Sequence, residues 1–316
     1  MRSSVDLSVV IVNWNTRELV LQCLEFLYRT TEGLPMEVFV VDNGSHDGSV
    51  EAIRNDFPGV ILVENEENLG FARANNKALR RARGKYSLLL NTDTILQDGT
   101  VMALLKFMEE TPKAAIGGAQ LLNPDGSKQN SVDNFPTLWS EGLNKSLLRL
   151  VFPRRFPSKR RSLSRPIEVE SVIGACAVVR KKAVEEVGFM DEDYFLFMEE
   201  TDWCYRMRTK GWKVYLIPHA AAIHLQGSTA ARVKARAKVE YYRSRYLFFQ
   251  KHRGAFQAGA LAGVLFIKLT ISLLMHGLVC LLTAFQSRRA WQRLSVTWQL
   301  LAWHARFCPQ RGGLRA

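Results

Sequence analysis

The sequence predicts an α/β fold with a mostly parallel, doubly wound central sheet, followed by membrane-associated helices at the C-terminus. Up to about residue 228, short apolar runs rich in β-branched residues alternate with amphipathic segments and short polar turns. This alternation is typical of βαβ units, in which helices cover both faces of a parallel sheet. A strongly basic segment then begins near residue 230, and an almost wholly apolar segment follows it.

The elements of the first half follow one another regularly. Leu7–Val12 is a continuous apolar run, as expected for a buried parallel strand, and Asn13–Thr16 is a polar turn after it. No Gly-x-Gly-x-x-Gly pattern follows this strand, which excludes the dinucleotide-binding oxidoreductases. The remaining predicted strands and helices of this half are the strands Glu37–Val41, Val60–Val63 and Tyr86–Leu90, and the helices Leu19–Tyr28, Ser49–Phe57 and the one within Asn68–Ala82.

The second half is less regular. The stretch 152–166 is rich in Pro, Ser and Arg and predicts a mobile loop over the site. Val169–Val179 predicts a strand, a helix begins near Lys181, and Lys213–Ile217 predicts the last strand. We expect the following domains: a catalytic domain over 1–228, with a donor-binding half of about 1–120 and an acceptor-side half of about 121–228, and a helical tail over 229–316.

Charge separates along the chain in a similar way. Residues 1–150 carry a net charge of −4, whereas residues 151–316 carry +17. This asymmetry predicts an anionic partner for the C-terminal part, either a nucleic acid or an anionic membrane surface. The run Ala255–Phe285 is apolar and long enough to span a bilayer, which favours lipid. The basic residues that precede it are Arg232, Lys234, Arg236, Lys238, Arg243 and Arg245.

The apolar run carries its few polar residues on one side, within a sector of about 100° on a helical projection. A free single span has no need of such a stripe, whereas an interfacial or re-entrant helix, or a span packed against protein, does. Arginines also follow the run, so a single crossing would leave a basic flank outside. The polar residues are Gln257, Lys268, Ser272, His276, Thr283 and Gln286, and the arginines are Arg288, Arg289, Arg293, Arg306, Arg311 and Arg315.

Two further observations bear on the location of the protein. The five cysteines lie far apart without metal-finger spacing, which is typical of free thiols in a reducing cytosol. The N-terminal residues Met1–Asp6 are short and polar, so we expect no signal peptide. We therefore expect the protein on the cytoplasmic face of the bacterial inner membrane, held peripherally or by a re-entrant helix.

Polar residues stand at the carboxyl ends of three predicted strands, where open α/β sheets bind ligands. Such groups suit a base, a ribose and a diphosphate. An alternative for the Asp42–Ser45 turn is that it only caps the next helix. The residues at the three ends are Asn13 with Asn15, Asp42 with Asn43, and Asn91 with Asp93.

Asp93 directly follows a buried strand in the sequence LLLNTDT (Leu88–Thr94). A divalent cation that bridges two phosphates needs a hard oxygen ligand at this edge, so Asp93 is a candidate ligand for Mg²⁺ or Mn²⁺. His224 follows the last predicted strand and is a second candidate. An isolated Asp in this position can also be a helix cap, and a lone His is often a satisfied core or surface residue.

Three carboxylates stand together downstream, in the aromatic sequence FLFMEETDWCYR (Phe195–Arg206). Burial raises the pKa of a carboxyl group, which suits a general base that accepts a proton from an acceptor hydroxyl. The alternative is a solvated helix start with acidic residues at the positive end of the dipole. The base therefore lies among Glu199, Glu200 and Asp202.

Together these segments resemble glycosyltransferase family 2, which has the GT-A fold, and within it the bacterial rhamnosyltransferase-like branch. The resemblance covers about Leu7 to Gly227 and depends on the joint order and spacing of the motifs. The motifs are VVIVNWN (Val9–Asn15), VVDNGSHDGS (Val40–Ser49), NLGFARANNKAL (Asn68–Leu79), LLLNTDT, GACAVVR (Gly174–Arg180), VGFMDEDYFLFMEETDWCYRMRTKGW (Val187–Trp212) and AAIHLQGS around His224.

The resemblance implies a role for each matching position. Asp93 would bind the metal ion as the remaining carboxylate of the DxD motif, with His224 completing the site, and Glu200 would be the catalytic base. Two positions depart from the family pattern, because Asn91 replaces the first DxD carboxylate and Glu200 replaces the usual Asp. The implied nucleotide-sugar contacts are Asn13, Asn15, Asp42, Asn43, Gly70, Arg73, Asn75, Asn91 and Thr92.

The resemblance also implies the reaction. We expect an inverting transfer of rhamnose or another hexose from a dTDP- or UDP-linked donor to a hydroxyl of a glycan or polyprenyl-diphosphate-linked acceptor, in cell-envelope polysaccharide synthesis. One alternative is a non-catalytic nucleotide-sugar- or lipid-binding protein on a transferase fold. Another is a nucleic-acid-binding protein, but the chain has no recognised binding motif and the apolar run would have no role, so we expect no nucleic acid.

Overall fold

The computed structural model describes residues 6–143, 151, 163–225 and 234–306 of the 316-residue chain. The chain divides into two compact units. The expected domain boundary at residue 228 lies outside the described residues, as do Arg232, Arg311, Arg315 and most of the expected mobile loop. The first unit comprises Met1–Phe135, Ser158–Phe195 and Glu199–Thr229, and the second comprises Pro136–Pro157, Leu196–Met198 and Ala230–Ala316.

The first unit is built around a mixed, mostly parallel sheet of nine strands among the described residues. Its order is β3-β2-β1-β4-β10-β6-β11-β5, with β8 pairing β11, while β7 and β9 form a separate small sheet. The strands are β1 Leu7–Asn13, β2 Met36–Asp42, β3 Ile61–Glu64, β4 Tyr86–Asn91, β5 Thr94–Leu96, β6 Ala114–Leu122, β7 Val132–Asp133, β8 Ile167–Val169, β9 Ser171–Val172, β10 Cys176–Arg180 and β11 Lys213–His224.

Helices cover both faces of this sheet. Val9 and Val10 of β1 belong to different core clusters, because successive side chains of a strand point to opposite faces. Leu24 packs in the cluster on one face, and the fully buried Trp203 packs in the cluster on the other. The helices, in chain order, are α1 Arg17–Thr30, α2 Ser49–Asp56, α3 Phe71–Leu79, α4 Thr100–Glu110, α5 Leu138–Gly142, α6 Lys181–Val187, α7 Glu199–Thr209, α8 Lys234–His252, α9 Ala255–Leu282 and α10 Arg288–Ala305.

The strand register brings the predicted polar residues to one edge of the sheet. β1 pairs in parallel with β2 so that Asn13 lies opposite Asp42, and it pairs in parallel with β4 so that Val12 lies opposite Asn91. Because β6 and β11 run in the same direction as these strands, the carboxyl end of β11 at His224 lies on that edge too. The mostly parallel α/β fold expected from the sequence is confirmed.

The predicted boundaries of two strands differ from those in the structure. The single strand expected over Val169–Val179 is three short strands, β8, β9 and β10, in two different sheets. The last strand does not end at Ile217 but continues to His224, with a register shift between Ile217 and Ala221. Pro218 lies in this irregularity, where its missing N–H removes a ladder hydrogen bond without ending the strand.

The second unit consists of α5, α8, α9 and α10 together with Leu196–Met198. Among the described residues, α9 is the one helix long and apolar enough to cross a membrane. Two members of its polar stripe contact protein within this unit. The Lys268 Nζ donates to the Glu141 carbonyl oxygen at 2.9 Å, and the His276 Nδ1 lies 3.1 Å from the Thr297 Oγ1. Lys268 therefore contacts α5, and His276 contacts α10.

Two residues of the basic helix α8 are also engaged inside the second unit. Arg243 pairs with Glu240 at 2.7 Å, and Arg245 pairs with the buried Glu141 at 2.5 Å. Arg236 and Lys238 are exposed. Of these four basic residues, Arg236 and Lys238 are thus exposed and able to meet an anionic surface, whereas Arg243 and Arg245 are paired with carboxylates.

Candidate functional site

A hydrogen-bonded cluster joins the carboxyl ends of β1 and β2. The buried Asn13 side chain donates from Nδ2 to the Asp42 Oδ2 at 2.8 Å and to the Ser45 Oγ at 3.1 Å. The Ser45 backbone N–H donates to the Asp42 Oδ1 at 2.8 Å, and the Asn15 N–H donates to the Ser45 Oγ at 2.9 Å. Asp42 does not cap α2, whose N-cap is Gly48. The carboxylate is therefore held in one orientation at the ligand-binding edge.

Asn43 ties this edge to the loop before α3. Its Nδ2 lies 3.2 Å from both the Gly70 carbonyl oxygen and the Asn68 Oδ1, and its Oδ1 accepts from the Asn65 Nδ2 at 2.8 Å. Gly70 has φ 84° and ψ 175°, a region that only glycine adopts readily. The following N–H, that of Phe71, donates to the Phe195 carbonyl oxygen at 2.7 Å. The loop is thereby connected to the chain that leads to the three carboxylates.

Arg73 and Asn75 of α3 lie in different surroundings. The Arg73 side chain is about half exposed and lies 3.8 Å from the Glu192 carboxylate. Asn75 is buried, and its Nδ2 donates to the Phe71 carbonyl oxygen within the same helix. Arg73 is therefore accessible to a ligand, whereas the Asn75 amide is hydrogen-bonded within its own helix.

The Asn91–Asp93 segment follows β4 and contacts the turn after β1. Thr16 donates from Oγ1 to the Asn13 Oδ1 at 2.7 Å and also lies 3.1 Å from the Thr92 Oγ1. The Asn91 Oδ1 is buried and has no hydrogen-bond partner among the described residues. An unpartnered buried acceptor is costly, so this atom is suited to receive a hydrogen bond or a cation from a ligand.

Asp93 and His224 lie side by side although they are far apart in the sequence. The antiparallel pairing of β5 with β11 places His224 opposite Thr94, and the Leu225 N–H donates to the Asp93 carbonyl oxygen at 2.9 Å. The His224 Nε2 is 3.3 Å from the Asp93 Oδ1, and both side chains are largely buried. A carboxylate oxygen and an imidazole nitrogen thus face the same point.

This pair fits a divalent cation that shares its coordination with a ligand. Neighbouring ligands of an octahedral ion with bonds of about 2.1 Å lie about 3 Å apart, which is close to the 3.3 Å between the two atoms. No group of three His, Cys, Asp or Glu residues suited to a metal ion occurs in the part of the chain that the structure describes. Mg²⁺ is commonly held by one or two protein ligands, with phosphates and water in the other positions.

The three carboxylates of α7 have different environments. Asp202 is fully buried and receives a 2.6 Å hydrogen bond from the Arg206 Nε. Glu199 is 4% exposed. The Glu200 Oε2 is buried and has no hydrogen-bond partner among the described residues. Burial, reinforced by the nearby Asp133 and opposed by backbone N–H groups, raises the pKa of the Glu200 carboxyl above its ordinary value.

The residues directly before α7 have unusual backbone angles. Phe197 and Met198 have φ values of 70° and 69°, in the left-handed region that bulky residues rarely adopt. Within the second unit, the Leu196 carbonyl oxygen accepts from the Ser244 Oγ at 2.9 Å, and the Phe197 and Tyr241 rings meet edge to face. Such strain is often found where a chain positions functional groups. No local sequence pattern indicated it.

One residue that contacts the site was not found from the sequence. Gln129 makes two hydrogen bonds with His224, one to its ring and one to its carbonyl oxygen. It follows the carboxyl end of β6, a strand that was not predicted from the sequence. Had this strand been recognised, the rule that ligands bind at this edge would have indicated the NPDGSKQN segment (Asn123–Asn130).

Comparison with known proteins identifies the family. The family model described as glycosyl transferase family 2 matches residues 8–188. An N-acetylglucosaminyl-diphospho-decaprenol L-rhamnosyltransferase of Mycobacterium tuberculosis is 29% identical over 268 residues, which cover 80% of this chain and 87% of that protein. A low-salt glycan biosynthesis hexosyltransferase of Haloferax volcanii is 26% identical, over 77% of this chain and 75% of that protein.

A solved structure shares the fold. The mannosyltransferase of Pyrobaculum calidifontis, in complex with GDP-Man and Mn²⁺, superposes with a TM-score of 0.55 and 16% identity. The match covers 96% of this chain and 86% of that chain. At this identity the likeness concerns the fold alone, and it confirms the GT-A fold expected from the sequence.

Proposed function

This chain belongs to glycosyl transferase family 2, and we propose that it is an inverting enzyme that transfers rhamnose or another hexose from a dTDP- or UDP-linked donor to a lipid-linked glycan. The observation that carries the proposal is the meeting of Asn13, Asp42, Asp93 and His224 at one sheet edge. The activity of the Mycobacterium tuberculosis relative, which its name gives as rhamnosyl transfer to a decaprenol-linked acceptor, supports the choice of substrates.

The donor nucleotide would lie at the ends of β1 and β2. Asp42, held by Asn13 and the Ser45 N–H, retains lone pairs for a base N–H or a ribose hydroxyl. The Gly70 carbonyl oxygen, which Asn43 contacts, brings the loop before α3 close to this edge. The half-exposed Arg73 side chain of α3 would bind a phosphate of the donor.

Asp93 and His224 would hold Mg²⁺ or Mn²⁺ at the diphosphate. When bound there, a divalent cation stabilises the negative charge that develops on a departing nucleoside diphosphate. The unpartnered Asn91 Oδ1 offers a further oxygen in the same segment.

Glu200 is the general base of the proposed reaction. Its Oε2 takes the proton of the acceptor hydroxyl while the hydroxyl oxygen forms a bond to the anomeric carbon, and the bond from that carbon to the diphosphate breaks. Attack opposite the leaving group inverts the configuration. The raised pKa of Glu200 makes its carboxylate a better proton acceptor. Asp202 is less suited because its charge is already paired with Arg206.

The second unit would hold the enzyme at the cytoplasmic face of the bacterial inner membrane. Its helix α9 is compatible with membrane association, and many of its large apolar side chains are exposed. An apolar groove of about 590 Å³ between α9 and α10 is flanked by Trp291 and Trp298, which are 55% and 60% exposed. Exposed apolar patches of this kind mark membrane or partner surfaces, and tryptophan favours the membrane interface. An acceptor on a polyprenyl diphosphate would be met at that surface, in cell-envelope glycan synthesis.

The test combines donor binding with turnover. A panel of nucleotide sugars with Mn²⁺ should include one that raises the melting temperature of the full chain in detergent. Glu200→Gln should then lower transfer by about 10²- to 10⁴-fold while leaving that thermal shift intact. Glu37→Gln replaces another buried carboxylate, at the opposite end of β2, and should keep full turnover.

Three outcomes would count against the proposal. If no nucleotide sugar stabilises the protein, the donor class is wrong. If Glu200→Gln retains turnover and Glu199→Gln abolishes it, the base is Glu199. If neither change affects turnover, neither Glu199 nor Glu200 acts as the base.

A further inference from the structure

A tight turn carries Gln129 to the edge of the sheet. After β6, the Asn123 N–H donates to the Ser127 carbonyl oxygen at 2.8 Å, and Gly126 completes the turn with a φ of 79°. The Gln129 N–H then donates to the Leu121 carbonyl oxygen at 2.8 Å. Its side chain is buried, with 7% exposure. A buried amide on a turn is costly unless each of its polar atoms has a partner.

The contacts of Gln129 determine which way its amide points. The Nε2 donates to the His224 backbone carbonyl oxygen and to the Asn123 Oδ1, both at 3.0 Å. A backbone carbonyl can only accept, so the amide nitrogen must be the atom that faces it. The Oε1 is then the atom 2.8 Å from the His224 Nδ1.

This orientation in turn determines the tautomer of His224. The Gln129 Oε1 can only accept, so the proton of the neutral imidazole lies on Nδ1. The lone pair is then on Nε2, which faces the Asp93 Oδ1 at 3.3 Å. Two lone pairs at this distance repel each other, and a cation between the two atoms removes the repulsion.

We propose that Gln129 is a positioning residue for the divalent-cation site, because its side-chain oxygen holds His224 as the Nδ1–H tautomer and so presents Nε2 to Mg²⁺ or Mn²⁺. The inference rests on the proposed function, since the cation site is part of it. Gln129 does not itself touch the ion. Metal-bound histidines commonly donate their other ring N–H to an acceptor that orients the ring, and loss of that acceptor weakens metal binding.

The test measures Mn²⁺ affinity directly in the full-length chain in detergent. Free Mn²⁺ is followed by its electron paramagnetic resonance signal, with and without UDP or dTDP. Gln129→Leu removes the acceptor at nearly constant volume and should raise the Mn²⁺ dissociation constant by about 10- to 100-fold. Gln129→Glu keeps an oxygen facing the Nδ1–H but loses the amide donor to the His224 carbonyl oxygen, so it should retain more Mn²⁺ affinity than Gln129→Leu.

The matched control is Gln120→Leu. Gln120 is also buried, and its Nε2 donates to the Gln129 carbonyl oxygen and to the Ser131 Oγ, with no hydrogen bond to His224 among the described residues. Its replacement removes a buried amide from the same neighbourhood, so it reports the structural cost alone and should leave Mn²⁺ affinity unchanged.

The possible results separate the inference from the proposed function. If the wild-type chain does not bind Mn²⁺, the proposed cation site fails and the inference fails with it. If the wild type binds and Gln129→Leu binds equally well, only the inference fails. Equal losses in Gln129→Leu, Gln129→Glu and Gln120→Leu would show a purely structural role. If Gln129→Leu does not fold, a Gln129→Glu variant that folds but has lost all measurable Mn²⁺ binding overturns the inference by itself.

Discussion

Gly70 is a position at which a single added methyl group should disturb both stability and turnover. A Cβ on Gly70 would lie 2.5 Å from the Phe195 carbonyl oxygen and 2.7 Å from the Phe195 Cδ2. Both distances are well below normal contact, and one of the atoms belongs to the backbone. The Phe71 N–H donates to the same carbonyl oxygen at 2.7 Å. Gly70→Ala must therefore push the loop away from Phe195 and stretch this hydrogen bond.

The chain offers a matched control for the backbone part of the cost. Gly188 has φ 93° and ψ 173°, close to the 84° and 175° of Gly70, and a Cβ there would meet nothing within 4 Å. Both alanine variants carry a backbone penalty of about 1–3 kcal/mol. Gly70→Ala adds an overlap of about 1–3 kcal/mol and a weakened hydrogen bond of about 1 kcal/mol. The expected excess over Gly188→Ala is therefore about 3 kcal/mol.

Thermal unfolding measures this excess. For a unit of this size it corresponds to a melting temperature about 6–12 °C lower for Gly70→Ala than for Gly188→Ala. Transfer activity should fall as well, because Phe195 lies just before the carboxylates of α7, whereas Gly188→Ala should lose little activity per folded molecule. Equal melting temperatures for the two variants would refute the reasoning, since the close approach to Phe195 would then carry no cost.

Three further predictions concern charge and the membrane. Asp202→Ala should lower the free energy of unfolding by about 3 kcal/mol, measured by urea denaturation, because it breaks a buried ion pair. Burial opposes ionisation of Glu37, but the Arg83 backbone N–H and guanidinium more than offset it and hold its pKa below the ordinary 4.5. Glu37 thus stabilises the fold above about pH 4.5 and loses this effect as the pH falls, so the gap in urea midpoint between wild type and Glu37→Gln should shrink from pH 7 to pH 4. Trp298→Glu should weaken vesicle binding in a flotation assay more than Gln299→Glu does, because only the first places the added charge beside the apolar groove; equal losses would contradict this.

Local sequence patterns were sufficient for the α/β fold and for part of the site. Continuous apolar runs such as Leu7–Val12 predict buried parallel strands, and parallel strands necessarily share a carboxyl edge. Asn13 and Asp42 could therefore be expected as neighbours, and in the structure they share a hydrogen bond. The family motifs added the glycosyltransferase fold and activity. The individual site roles remain predictions.

The contacts between site residues from distant segments were evident only in the tertiary structure. His224 meets Asp93 because β11 continues past Pro218 to pair with β5, and no local pattern predicts a strand that tolerates this interruption. Gln129 joins them through a turn after β6. The difference between Glu200 and its neighbours in α7 is likewise a matter of burial and partners rather than spacing. Periodicity along the chain determines which face of an element is apolar, but the pairing of remote strands determines which polar groups share a site.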